Sequence, residues 1–275
     1  MPISLSARYF TCVFLCLCSV TISAQYRGGS RYVSEQVELM HDNDFLHFTD
    51  RWYTTGSFIA YRKLLNETNK ENNNKRQFTL QLEQSFFTPS NILSSRIEDY
   101  DRPYAGFLGF NTGISLINEN RILAFTLTIG VTGEISGSEG LQSWFHSTNE
   151  SQTATWTGQI ENSTHANLYG SYIGKRNELE YTMAHRQLGD TENELFFALT
   201  GAYRFVIHDA MLQGSIIADN SEFTLEPVDS LFFYGAESYW RNQILDVKVA
   251  YMFSTRRIES TGTHGFTTLS ISRNF

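Results

Sequence analysis

The chain has 275 residues, 41% hydrophobic and 14% aromatic, with only 4 prolines and a net charge of −8 that is spread without long acidic or basic blocks. This balance disfavours nucleic acid as a partner, because nothing gathers the cations that neutralise phosphates. All 3 cysteines, Cys12, Cys16 and Cys18, lie near the N-terminus.

Residues 1–24 hold one basic residue, Arg8, then an apolar run from Tyr9 to Val20 and a small residue, Ala24, before Gln25. This is the layout of a cleavable secretory signal. The expected mature chain, 25–275, is a single domain without thiol, disulfide or cysteine metal site. None of its segments supplies the roughly 18 consecutive apolar residues of a membrane-spanning helix. If the chain crosses a membrane, it does so with strands.

In chain order, two-residue alternation and turn residues predict strands at 33–42, 52–64, 76–87, 104–117, 121–133, 164–174, 177–187, 194–207, 211–218, 228–240, 243–256 and 264–275. In "RILAFTLTIGVTGE", Leu123, Phe125, Leu127, Ile129 and Val131 alternate with Ala124, Thr126, Thr128 and Gly130. In the eleventh segment Val247, Val249, Tyr251 and Phe253 oppose Asp246, Lys248 and Ala250, and charges on an inner face suit a polar lumen better than a dry sandwich core. The last segment ends on Phe275, an aromatic terminus common in outer-membrane barrels. The expected fold class is all-β: a transmembrane antiparallel β-barrel of about twelve strands, with a short helix in an extracellular loop.

The connectors at 118–121, 174–177 and 241–243, and the longer polar one at 66–76, follow even-numbered strands and are expected as periplasmic turns. Exits from odd-numbered strands then face the cell exterior, and the polar clusters fall there. The first is "HDNDFLHFTDRWYTTG" (41–56), where Asn43 and Asp44 offer hard oxygens to calcium. His41 and His47 lack a third ligand at zinc spacing. A charged hairpin facing water is the plainer reading of the same letters. The second is "EDYDRPYAGF" (98–107); Arg102, with Arg96 and Tyr104 of the same loop, is the candidate to receive an anionic head group. The third runs from Glu134 to Ser163, where "SGSEGLQSWFHS" predicts a helix with Ser136 and Glu139 at capping-box spacing and Gln142 and His146 on one face.

Taken together, Asn43-Asp44, "TDRWYTTG" (49–56), "DRPYAG" (101–106) and Gln142-x-x-x-His146 followed by "WTGQIEN" (156–162) resemble the outer-membrane lipid A 3′-O-deacylases. The resemblance implies a twelve-stranded barrel that hydrolyses the ester-linked 3′ acyloxyacyl chain of lipid A in the outer leaflet, with a divalent cation, calcium, as cofactor. It implies Asn43, Asp44, Thr54 and His146 as the catalytic set with Gln142 in support, and Asp44 with Asn43 as the metal ligands. The expected partners are lipid A or lipopolysaccharide and outer-membrane lipids, with no nucleic acid and a monomeric chain. Two other readings remain open on the residues alone. One is an outer-membrane phospholipase with a serine–histidine pair, although no convincing His-x-Ser arrangement stands near the loops. The other is a porin or adhesin whose loops are polar because they face water.

Overall fold

The computed structural model describes residues 31–47, 49–66, 74–118, 121–174, 189–191, 194–205, 230–242, 244–255 and 261–275. In chain order the strands are β1 (Arg31–Val33), β2 (Glu35–Asn43), β3 (Trp52–Leu64), β4 (Lys75–Thr88), β5 (Ala105–Ile117), β6 (Arg121–Thr132), β7 (Ser163–Gly174), β8 (Gly189–Thr191), β9 (Glu194–Phe205), β10 (Ser230–Arg241), β11 (Leu245–Ser254) and β12 (His264–Asn274). Ten of them form one sheet in the order β7-β6-β5-β4-β3-β2-β12-β11-β10-β9, while β1 and β8 pair separately. Every pairing is antiparallel, and the first strand of the large sheet pairs with the last, Gln36 opposite Asn274 through Asn43 opposite Thr267.

Ten of the predicted strands therefore have counterparts within a few residues. Those expected at 177–187 and 211–218 lie outside the described residues, as does most of the turn at 174–177. Among the described strands the large sheet is a simple meander joined between β2 and β12, and β9 pairs directly with β10, Phe205 opposite Ser230. The β1–β8 pair has no signature in the sequence.

Alternation separates two faces. Glu38, Arg62, Gln81, Glu83, Asn111 and Lys248, drawn from the four strands β2 to β5 and the distant β11, line one cavity of about 640 Å³, so the sheet curls with its polar face inward. Leu39, Ile59, Leu82, Phe110, Phe125 and Ile129 are exposed on the convex face. Among the described residues no helix is long and apolar enough to cross a membrane, which says nothing of strands.

A polar cluster takes the place of an apolar core where the first and last strands meet. Asp246 accepts hydrogen bonds from Gln36 Nε2 at 2.8 Å, Tyr239 OH at 2.9 Å, Arg241 Nη2 at 3.1 Å and Asn274 Nδ2 at 2.8 Å. Beside it Arg62 pairs with Glu38 at 2.6 Å and donates to Gln36 at 3.0 Å. These residues come from β2, β3, β10, β11 and β12, so buried polar bonding ties the two ends of the chain together. At this end asparagines tie the described connections: Asn118 and Arg121 exchange bonds, Asn242 caps Ile244 and Leu245, and Asn66 closes on Asn74 and Arg76.

Asp246→Ala withdraws the carboxylate from Arg241, which is itself only 3% exposed. Removing one member of a buried ion pair costs about 3–5 kcal/mol. We expect a loss of that order, read as a lower urea midpoint for the reconstituted protein, with Asp246→Asn intermediate; an unchanged midpoint for Asp246→Ala would remove this cluster from the account of stability.

Candidate active site

The loop after β2 is laced by one carboxylate. Asp44, 2% exposed, accepts on Oδ2 from the Thr49 hydroxyl at 2.9 Å and from the Arg51 backbone N–H at 3.0 Å, and its own carbonyl accepts from His47 N–H. These bonds return the chain from a short 3₁₀ turn, Phe45–His47, to the start of β3. Burial pushes the Asp44 carboxyl up to about 8, with the neighbouring Asp50 charge adding and the Arg51 and Thr49 donors opposing.

β3 then opens irregularly. Trp52 adopts φ 61, a left-handed conformation rare for a bulky residue. Between Tyr53 opposite Phe87 and Thr55 opposite Phe86, Thr54 has no partner of its own, so it is the extra residue of a β-bulge. Bulges re-aim a side chain, and this one brings the Thr54 hydroxyl to 2.7 Å from that of Thr88, which donates at 3.2 Å to the Asp50 carbonyl. Burial raises the Asp50 carboxyl, while the neighbouring His146 and Thr54 side chains lower it.

The third loop supplies the helix α1 (Ser138–Thr148). Its N-cap is Gly137 at φ 71, with no side-chain cap, so the capping box expected from Ser136 and Glu139 does not form. Ser136 instead donates to the Gly133 carbonyl within the preceding 3₁₀ turn. The helix start presses on β5: a Cβ on Gly106 would stand 2.3 Å from the hydroxyls of Ser136 and Ser138. Gln84 Nε2 donates to Ser138 Oγ at 2.6 Å. Gln84 shares the convex face with Leu82, whereas Gln81 and Glu83 line the cavity, so α1 lies outside the curl of the sheet.

From that position α1 directs Gln142 and His146 at Asp50. Gln142 Nε2 is 3.4 Å from Asp50 Oδ1, and its oxygen accepts from Trp156 Nε1 at 2.7 Å. His146 Nε2 is 3.4 Å from Asp50 Oδ2, and its Nδ1 meets the Gln152 carbonyl. A carbonyl can only accept, so Nδ1 carries a proton, and whenever the ring is uncharged the free lone pair is on Nε2. Trp156 stacks on Tyr104 at 5.0 Å and meets Phe86 at 6.0 Å, within a buried group that includes Tyr100 and Ala154.

The loops lock to one another as well. Trp52 Nε1 donates to Asp101 at 2.7 Å, Tyr100 OH is 3.0 Å from Thr155 Oγ1, and Ile160 N–H donates to the Tyr104 carbonyl at 2.9 Å. All three polar loops thus meet at one end of the sheet.

Asp44, Thr54, Gln142 and His146 each interact with Asp50. Asn43 sits at the last position of β2, its Nδ2 donating to Thr55 Oγ1 at 2.9 Å. The three residues expected to bind an anionic head group are not brought together. Arg102 is 3% exposed, donating to the Pro103 carbonyl with its guanidinium 4.7 Å from the Phe87 ring centre; Tyr104 is fully buried and donates to the Ile92 carbonyl. Arg96 is exposed, 3.7 Å from Glu98. His41 bonds Ser57 and His47 stacks on Tyr251, so the two histidines of the first loop are held apart from the Asp50 group. Asp50 itself escaped the reading of the sequence, since nothing in its spacing distinguishes it from Asp42 or Asp44.

Among the described residues no cluster of three or more His, Cys, Asp or Glu side chains forms a metal cage. Asp44, buried, and Asp50, partly exposed, nonetheless supply two neighbouring carboxylates, both raised by desolvation and the first also by the second. Calcium takes 6–8 oxygen ligands, carbonyls and waters included, so two close carboxylates with neighbouring amide and hydroxyl oxygens suit a hard cation.

The model of a family described as outer membrane protein LpxR matches residues 10–189. No curated protein matches the chain. Among solved structures the chain is similar to LpxR from Salmonella typhimurium, at 14% identity and TM-score 0.67, over 87% of this chain and 100% of that one; this likeness bears on the fold. Ail of Yersinia pestis (TM-score 0.30, 10% identity, 88% and 99% covered) and the translocator domain of the autotransporter NalP from Neisseria meningitidis (TM-score 0.31, 9% identity, 98% and 97% covered) are too remote to add to it. With more than half its length matched by the family model, this chain of antiparallel strands and convergent loops belongs to the family of the outer membrane protein LpxR.

Proposed function

We propose that the protein is a lipid A deacylase that hydrolyses the ester-linked 3′ acyloxyacyl chain in the outer leaflet. The observation that carries this reading is the His146 imidazole, whose Nε2 lies 3.4 Å from Asp50 Oδ2 on the convex side of the sheet, away from the polar cavity. Family membership supports the substrate class.

The geometry suits a general base. In the uncharged form of the ring, Nε2 and Asp50 Oδ2 are two acceptors facing each other across 3.4 Å, a contact that stabilises little. Once Nε2 takes a proton from water, the new N–H points at a carboxylate. The pair is therefore favourable chiefly in the charged state that forms during attack, the condition for lowering a barrier rather than tightening binding. The water oxygen bonds to the acyl carbon, and the proton held at Nε2 returns to the sugar oxygen as the carbon–oxygen bond breaks, releasing a fatty acid and a free 3′ hydroxyl. Gln142, held by Trp156, orients Asp50, and Thr54 positions water or the ester by hydrogen bonding. Asp44 and Asn43, with Asp50 beside them, would hold calcium, which when bound supplies an electrophile for the ester carbonyl oxygen.

The finer architecture belongs to the same reading. The sheet closes into a barrel of about twelve strands. Supporting closure, β2 pairs with β12, and the edge strands β7 and β9 run in opposite directions, so that direct pairing or an even number of further strands joins them. Residues 1–24 are a cleaved signal, and the loops that carry the site face the outer leaflet. The closed barrel should migrate faster on a denaturing gel before boiling than after; identical migration would count against closure.

Lipid A from cells making the protein, analysed by mass spectrometry with and without divalent cation, should lose the 3′ acyloxyacyl group only when the cation is present. Unchanged lipid A alongside degraded phospholipid would point to a phospholipase instead. His146→Ala should lower deacylation by about 10²–10⁴-fold, the usual worth of a general base. Asp50→Asn should cost about 10²-fold, since it keeps a partner for Gln142 but loses the charge that stabilises the imidazolium. Thr54→Ala should cost about 10-fold, the worth of one hydrogen bond. Near-normal turnover by His146→Ala would exclude it as the base.

Asp44 adds a pH signature. Its folded value of about 8 lies above the ordinary 3.8, so the folded protein holds this proton more tightly than the unfolded chain does. Stability from this group is complete below about 4 and is lost as pH rises towards about 8. The thermal midpoint of the reconstituted protein should fall across that window, and calcium should restore it most at the alkaline end. Asp44→Asn should flatten both responses; a calcium shift that persists in Asp44→Asn would place the ion elsewhere.

A further inference from the structure

The helix α1 carries its polarity on the side that a helix facing water would bury. Gln142, 2% exposed, and His146 point at Asp50. Leu141, Trp144 and Phe145, at the i, i+3 and i+4 spacing of one helical face, are 39%, 63% and 54% exposed, and Ile135 just before the helix is 53% exposed. Glu139 is the helix's one acidic residue, and it is engaged by Gln159 Nε2 at 3.2 Å. A helix at a rim open to water alone would place its charges outward. Here the outward side holds a contiguous apolar group including a tryptophan, the composition of a helix lying in a membrane interface.

The surroundings indicate what covers that group. Contacts with Gln84 and Gly106 hold α1 on the convex face of β4 and β5. The same face exposes Leu82 and Phe110 on those strands and Ile129 on β6. In an outer-membrane protein this is the lipid-facing band, and the stripe on α1 continues it.

We propose that α1 is seated in the outer leaflet: Leu141, Trp144 and Phe145 insert among lipid acyl chains and thereby set the depth at which His146, on the opposite side of the helix, meets an ester. The seating stands on the helix geometry. The link to ester depth rests on the deacylase reading above.

The test uses the full chain in phosphatidylcholine vesicles whose acyl chains carry bromine, which quenches nearby tryptophan emission. Trp52, Trp156 and Trp240 supply a common background, so the informative quantity is the difference between the wild type and Trp144→Phe. We expect a quenched component that Trp144→Phe lacks. Equal quenching in the two proteins overturns the proposal, as does a Trp144 signal shielded from both bromolipid and aqueous quencher by self-association of the chain. For the depth role, a Leu141→Ser/Trp144→Ser/Phe145→Ser protein with the mobility of the folded wild type should lose about 10-fold more activity on bilayer-embedded lipid A than on detergent-dispersed lipid A. Equal losses on both would overturn that role. If the wild type deacylates neither substrate, the deacylase reading falls, while the quenching difference still decides the seating.

Discussion

The constraint on which the structure depends is the two-residue period of a sheet that curls around a polar interior. With Glu38, Arg62, Asn111 and Lys248 committed to the concave face, every alternate position belongs to the convex one. The proposed lipid-acting site is assembled on that apolar face, where an isolated carboxylate is costly. The loops supply the shelter: they fold back over the outside of β4 and β5, and the group of Phe86, Tyr100, Tyr104, Ala154 and Trp156 is the apolar base on which the polar residues stand.

Most of the motif letters serve that shelter rather than the chemistry. In "DRPYAG", Asp101 ties down Trp52, Tyr104 stacks on Trp156, and Gly106 admits the helix start. In "WTGQIEN", Trp156 orients Gln142 and Ile160 bonds back to Tyr104. The groups that the proposed deacylase would use converge on Asp50, reached from the first loop, the bulge in β3 and α1. Burial raises the two neighbouring carboxyls, while His146 and Thr54, brought in by that convergence, hold the Asp50 carboxyl down. The energetic cost is partly stored in the backbone, at Trp52 with φ 61 and Trp156 with φ 53.

The two ends of the sheet divide the labour. At one, Asp246, Arg241, Gln36 and Asn274 join the first and last strands through buried polar bonds. At the other, the three polar loops interlock around Asp50. Strands bonded firmly at one end give the loops at the other a fixed base to fold on.

The two-faced strands were legible in the chain itself, because alternation is a local property: Phe125, Leu127 and Ile129 against Ala124, Thr126 and Thr128 declare their faces without reference to anything distant. The grouping of polar clusters on one side was legible for the same reason, since strand parity only counts turns. Three things were decided by tertiary structure alone. The bulge at Thr54 is a slip between β3 and β4, and either strand taken singly reads as regular. Asp50 differs from Asp42 and Asp44 only through the histidine that a helix from ninety-odd residues along the chain brings to it. Arg102 and Tyr104, expected at a surface, are buried because the packing of Phe87 and Trp156 closes over them. In each case the deciding contact joins segments far apart in sequence, and local periodicity carries no information about such contacts.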